Sequence, residues 1–217
     1  MSTSMIRNFT LCGLAFGIAA CAEPGAPNLD ADSAARLSRD LGTNASQYTA
    51  TIMALPTGAV YSSAYGINDQ GFSVGRGWKS NGKQFAVRWS ANGSVATTLR
   101  QPVGHVSSTA NDVNSSGIVV GSWADAAGAW HPVYWTINNT VVHLPDFGAQ
   151  AAPTGINDAG LMVGHSVVNG RFHMTTWLNG VIADRHPAGY LWSRARDVAE
   201  NGDIVGYAAH STLDTMA

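Results

Sequence analysis

Seven histidines and fourteen acidic residues are the chain's stock of acid–base and metal-ligating groups. The histidines are His105, His131, His143, His165, His173, His186 and His210, and none forms a His-x-x-x-His pair or an HExxH string, the spacing that sets two imidazoles on one helical face around zinc. His131 and His173 stand 42 residues apart, an interval at which the rest of the chain repeats, so they are read as structural before they are read as ligands. Asp69 and Asp158 each follow an asparagine, Asn68 and Asn157, in a turn-like string where a calcium site is conceivable. The matching positions elsewhere carry Ser115 and Glu200, and an Asx turn satisfied by its own backbone accounts for the pattern. No G-x-S-x-G elbow, P-loop or dinucleotide fingerprint is present. The expectation is a protein with no catalytic residue, no metal and no cofactor.

One thiol does have an assignable chemistry. Arg7 precedes an uncharged run from Phe9 to Ala20, which ends Ile18-Ala19-Ala20-Cys21. Twelve residues at the helical rise reach about 18 Å, short of the roughly 30 Å hydrocarbon core, so the run suits a removable signal better than a permanent span. An aliphatic residue, two small ones and a cysteine resemble the lipobox of bacterial lipoproteins, which implies that Cys21 carries the lipid. Cys12 lies inside the segment that would be removed, leaving Cys21 as the mature chain's only cysteine and no intramolecular disulfide. Several acyl chains on one residue give stable anchoring where a single chain binds only marginally. Ala22 after the cysteine, rather than Asp, implies transport to the outer membrane. The expected organisation is a signal peptide over 1–20, a tether over 21–47 with a short helix over 32–41, and one domain over 48–217.

Taking residues 1–20 from 217 leaves 197, with 11 basic residues facing 14 acidic ones. There is no basic patch, so nucleic acid is not an expected partner. Charged residues are only 12% of the chain, and 24 glycines and seven tryptophans accompany them, a composition of short strands joined by tight turns.

Those strands must come from a repeat. GINDQGFSVG at 66–75, DVNSSGIVVG at 112–121, GINDAGLMVG at 155–164 and DVAENGDIVG at 197–206 are copies of one string, closing on Gly75, Gly121, Gly164 and Gly206 at intervals of 46, 43 and 42 residues. After 14, 14 and 13 residues the first three copies reach Trp89, Trp135 and Trp177, at the ends of FAVRW, HPVYW and HMTTW. A polar turn and another strand, SVATTL, TVVHL or GVIAD, follow each. The Asn-Asp-x-Gly core reads as a hairpin turn, the alternating apolar residues as a strand, the closing glycine as a bulge or close backbone approach, and the tryptophan as filler between sheets. Such a meander cannot bury both faces alone and must stack on its neighbours.

The pattern is similar to the HAF-type extracellular repeat of bacterial surface proteins. His131 and His173 take its His place, with Phe85 there in the first copy, and Trp89, Trp135 and Trp177 take its Trp place; Pro132, Met174, Val87, Val133 and Thr175 depart from it. The resemblance covers roughly 60–217 and implies export and a β-propeller-like array, with no catalytic residue to carry over. The expected fold is all-β: three complete four-stranded blades near 63–107, 108–152 and 153–193, plus an incomplete fourth near 194–217 that ends before its tryptophan. Residues 48–55 match the strand before each copy and are available to be borrowed toward completing a ring. The array is expected to remain an open arc with an exposed edge at the C-terminal end.

Two uses from different classes fit such an array. One is a lipid-anchored surface module, binding or adhesive, that meets a glycan or protein through the variable spacers between closing glycine and tryptophan, Arg76 to Gln84 with Trp78, Ser122 to Trp130 with Trp123 and Trp130, and His165 to Phe172, although the three tryptophans also suit packing between blades. The other is a structural component of the bacterial cell envelope with no ligand. A lyase or hydrolase using the central channel is a third.

Overall fold

The computed structural model describes residues 50–148 and 150–210; the signal segment, Cys21, the tether with its expected helix, and the last seven residues lie outside them. The described residues are all-β and contain no helix. Three four-stranded antiparallel meanders follow one another. The first is β1 (Tyr61–Ile67), β2 (Ser73–Trp78), β3 (Gln84–Trp89) and β4 (Ala96–Thr98). The second is β5 (Ser107–Val113), β6 (Val119–Ala124), β7 (Trp130–Trp135) and β8 (Val141–His143). The third is β9 (Ala151–Ile156), β10 (Met162–Val168), β11 (Arg171–Leu178) and β12 (Val181–Asp184). A two-stranded sheet, β13 (Tyr190–Val198) and β14 (Ile204–His210), ends the series.

The repeated string makes the turn between the first and second strands of each sheet. In the first copy Gly71 closes the turn at φ +85° and donates its N–H to Asn68 O, while Asn68 Oδ1 accepts the Phe72 N–H at 3.0 Å. The asparagine's amide is then free to reach the next sheet: Asn68 Nδ2 donates to Asn114 O, Asn114 Nδ2 to Asn157 O and Asn157 Nδ2 to Ala199 O, at 3.0, 3.2 and 3.1 Å. One side chain thus caps its own turn and ties it to its neighbour, a task that needs both an acceptor and a donor and so selects Asn over Asp. Ala199 has no side-chain amide to pass the ladder on.

Each first strand lies against the second and third strands of the preceding sheet, β5 on β2 and β3, β9 on β6 and β7, β13 on β10 and β11, and successive first strands touch one another. The core is correspondingly divided into junctions. Val74, Ala86 and Leu99 of the first unit pack with Ala110, Val113, Val119, Val133 and Trp135 of the second. Val120 and Leu144 pack with Ala151, Ile156, Met162 and Trp177. Trp89, Trp135 and Trp177 are buried, and each satisfies its indole N–H on the backbone of the preceding segment, at Ala54 O, Arg100 O and Pro145 O. Residues 50–56 form no strand, contrary to expectation, yet they stand where a preceding unit would end: Ala54 accepts the Trp89 bond and Met53 packs on Phe85, Val87 and Trp89. One carbonyl and one apolar side chain meet the tryptophan's needs without a ladder.

Candidate functional site

The closing glycines position the site. A Cβ on Gly75, Gly121, Gly164 or Gly206 would stand 2.0, 2.0, 2.1 and 2.2 Å from a carbonyl oxygen of the adjacent first strand, so only glycine fits. Opposite them the first strands bulge, with register shifts that leave Tyr65, Asn111, Thr154 and Arg196 out of the ladder. These four residues, one per sheet, line a single cavity of about 600 Å³. Its wall is completed by residues that follow the closing glycines, Arg76, Ser122 and His165, by Arg194 and Thr109 two positions before the bulges, and by Trp130 and Phe172. The repeat holds the backbone constant while these positions vary, which is how a scaffold carries a specific surface.

The cavity is basic. Arg76, Arg194 and Arg196 line it, and no carboxylate does. Among the described residues, none of the three is ion-paired. Each instead sits over an aromatic ring: the Cζ of Arg194 lies 3.6 Å from the Phe172 ring centroid, that of Arg76 4.3 Å from Trp78 and 5.1 Å from Tyr65, and that of Arg196 5.0 Å from Tyr207. Arg76 also donates to Gln84 Oε1 at 2.8 Å, while its buried Nε has no partner, and neither does Nδ1 of His165. Burial, reinforced by the charges of Arg194 and Arg196, holds the His165 pKa down at about 4, so this histidine is neutral at physiological pH.

A second, smaller cleft of about 170 Å³ lies among the turns of the repeated string and is lined by Asp69, Asp112, Asp158 and Glu200. Its logic is partly structural. The string opens alternately with Gly66, Asp112, Gly155 and Asp197, and a Cβ on Gly66 would come within 2.8 Å of Asp112, as one on Gly155 would come within 3.0 Å of Asp197. Each glycine makes room for the next unit's aspartate. Asp112 accepts the Ile156 N–H at 2.9 Å, Asp158 accepts that of Ser115 at 2.7 Å, and Glu200 accepts that of Asp158 at 3.0 Å. Burial pushes the Asp112 pKa up to about 6, with the nearby charge of Asp197 adding to it. The described residues bring no three His, Cys, Asp or Glu side chains together as metal ligands would be.

Of the tryptophans singled out from the sequence, only Trp130 lines the cavity. Trp78 stacks on Tyr61 at 4.4 Å and meets Arg76 without itself lining the cavity, and Trp123 packs on His131 and His143, against the core of the first junction. His131 and His173, the repeated pair, each bond a local carboxylate, Asp125 at 3.0 Å and Asp184 at 2.8 Å. His186 contacts Ser193 Oγ at 2.8 Å, a spacing that suits a nucleophile and its base, but Ser193 is fully buried and its oxygen accepts the Met174 N–H. Ser108 does the same for Ala86 at the first junction, so this serine is a staple between sheets. Arg76, Ser122, Trp130, His165 and Phe172 lie in the spacers that the sequence marks as ligand-facing, whereas Tyr65, Asn111, Thr154, Arg194 and Arg196 escaped it because they precede the repeated string; the signal available was that the positions just before each copy change from copy to copy. Comparison of the chain with protein-family models, with curated proteins and with solved structures finds no significant match.

Proposed function

We propose that this chain is an exported, lipid-anchored module of the bacterial envelope whose sheets form an open, propeller-like arc and whose axial cavity binds the end of a glycan. The observation that carries the reading is one cavity lined by side chains from all four units, at the positions where the copies differ. Its volume falls in the range of about 300–1,000 Å³ common for small-ligand sites, and its mixture of hydroxyl, amide and aromatic groups suits a hydroxyl-rich ligand. The packing of each first strand on the preceding sheet supports the propeller-like arrangement, as does the resemblance to HAF-type repeats. Ser193 being a buried staple supports a binding role over a hydrolytic one. The anchor rests on Cys21 and the string before it.

Two experiments test the parts separately. Cys21→Ser is expected to abolish incorporation of labelled palmitate; equal labelling of wild type and variant would remove the lipoprotein reading. A glycan array probed with the purified protein is expected to return a small set of related sugars, lost with Trp130→Ala and kept with Trp123→Phe. Silence across the array would favour a structural envelope component instead.

A further inference from the structure

The chemistry of the cavity wall narrows the ligand further. Three guanidiniums converge on one concave surface from β2 and β13, with no acidic side chain in the lining to neutralise them. An arginine normally found beside a carboxylate would have its N–H edge occupied; here the guanidiniums sit over the aromatic rings of Phe172, Tyr65, Trp78 and Tyr207. Among the described residues the Arg194 and Arg196 guanidiniums make no hydrogen bond or ion pair, so their N–H groups stay available for bidentate bonding to an oxyanion, while Arg76 spends one N–H on Gln84 and keeps the others. The charge is also segregated along the molecule: the carboxylates of Asp69, Asp112, Asp158 and Glu200 gather in the smaller cleft among the turns, while the larger cavity holds the arginines. An anion entering the larger cavity meets positive charge, polar neutral groups and apolar rings but no carboxylate, whereas the acidic cleft repels it.

We propose that the cavity selects an acidic saccharide, a sugar unit bearing a carboxylate, whose acid group is received by Arg194 and Arg196 on β13 with Arg76 facing it from β2. Gln150 supplies a donor and an acceptor for the sugar hydroxyls, Asn111 and Thr154, whose Nδ2 and hydroxyl donate to Pro153 O and Ala195 O, supply acceptor oxygens, and Trp130 supplies an apolar wall for the ring. The inference rests on the glycan-binding reading above, and adds to it that charge decides which glycan is held. The neutral state of His165 fits the same picture, because a second cation there would be repelled by the arginines already present.

The test is calorimetric titration of the purified protein with trigalacturonate, with the methyl ester of the same trisaccharide, and with inorganic phosphate. Trigalacturonate is expected to bind at least tenfold more tightly than its ester, with an affinity that falls as salt is raised, and phosphate is expected to bind more weakly than trigalacturonate because it engages the arginines alone. Arg194→Gln and Arg196→Gln are each expected to weaken trigalacturonate binding at least tenfold, and Arg194→Lys by less. Arg88→Gln, whose guanidinium donates to Ile137 O away from the cavity, is expected to change nothing. The salt and ester comparisons use the unaltered protein and remain decisive if a variant fails to fold. Equal binding of acid and ester, sensitive to Trp130→Ala, would overturn the charge selection and leave the glycan module standing. Failure of both saccharides to bind, or phosphate binding as tightly as trigalacturonate, would overturn the proposal, and an empty glycan array beside it would remove the module as well.

Discussion

At the scale of single residues, the repeated string assigns each position a separate electrostatic task. Asn68, Asn114 and Asn157 are the positions where an amide serves two backbones at once. Asp112 is the position where the fold tolerates a partly buried carboxylate because Gly66 leaves it room and the Ile156 N–H bonds it. Its pKa, raised by burial from 3.8 to about 6, makes it a pH-dependent liability. A folded-state pKa above the unfolded value means that the stabilising, protonated form is fully present below about pH 4, and that its contribution is lost as pH rises through 6. Asp112→Asn keeps an oxygen for Ile156 and removes the charge. The variant is expected to be more stable than wild type at pH 7, by up to about 3 kcal/mol, with the difference vanishing near pH 4. Denaturant titrations at the two pH values measure this, and parallel pH profiles for the two proteins would contradict it.

At the scale of elements, the unit is a meander whose third strand carries, at or next to its last residue, a tryptophan that belongs energetically to the junction with what comes before. Trp135 is fully buried, packs in the first junction cluster and bonds Arg100 O, beyond the last strand of the preceding sheet. Trp135→Ala is therefore expected to cost about 3–5 kcal/mol. Trp135→Phe keeps most of the packing and leaves the Arg100 carbonyl without its donor, a loss of about 1–3 kcal/mol. Chemical denaturation distinguishes the two, and an alanine variant within about 0.5 kcal/mol of wild type would show that the indole is not core. Trp89 enjoys the same burial and the same kind of bond through residues 50–56, so the first unit is capped by the chain before it.

At the scale of the whole molecule, the two ends of the series differ from its junctions. Ile67 is 48% exposed, while Val113, Ile156 and Val198, its counterparts in later units, are buried against the unit before them. Val205 is 61% exposed, while its counterparts Val74, Val120 and Val163 are fully buried. The same residue type at the same repeat position thus has a different energetic weight at an end and inside. Val120→Ala is expected to cost about 2 kcal/mol, from lost burial and the cavity it leaves, whereas Val205→Ala should stay within about 0.5 kcal/mol of wild type. Thermal or denaturant unfolding of the pair measures the contrast; equal costs would mean that the face of β14 is covered in solution.

The all-β class, the turns at the Asn-x-x-Gly strings, the need for glycine at 75, 121, 164 and 206, and three strands carrying a tryptophan at or next to their last residue were all legible in the sequence. These are demands of local backbone geometry repeated four times, and repetition makes a local demand visible. The first strand of each sheet, which runs into the string, carries no such signal, because its residues vary: YSSAYGI, SSTANDV, AAPTGI and YLWSRARDV share no pattern beyond small residues where the closing glycine approaches. The pairing of Gly66 with Asp112 and of Gly155 with Asp197 was present in the strings, but acquires meaning only once adjacent units are in contact. Tertiary structure alone decided that Trp123 is spent on packing while Trp130 faces the cavity, and that Arg76, Arg194 and Arg196 share one wall although more than a hundred residues separate the first from the others. The physical reason is that strand identity follows from the order of residues along the chain, whereas convergence follows from the bulges and from the angle at which one sheet packs on the next, which no single copy of the repeat encodes.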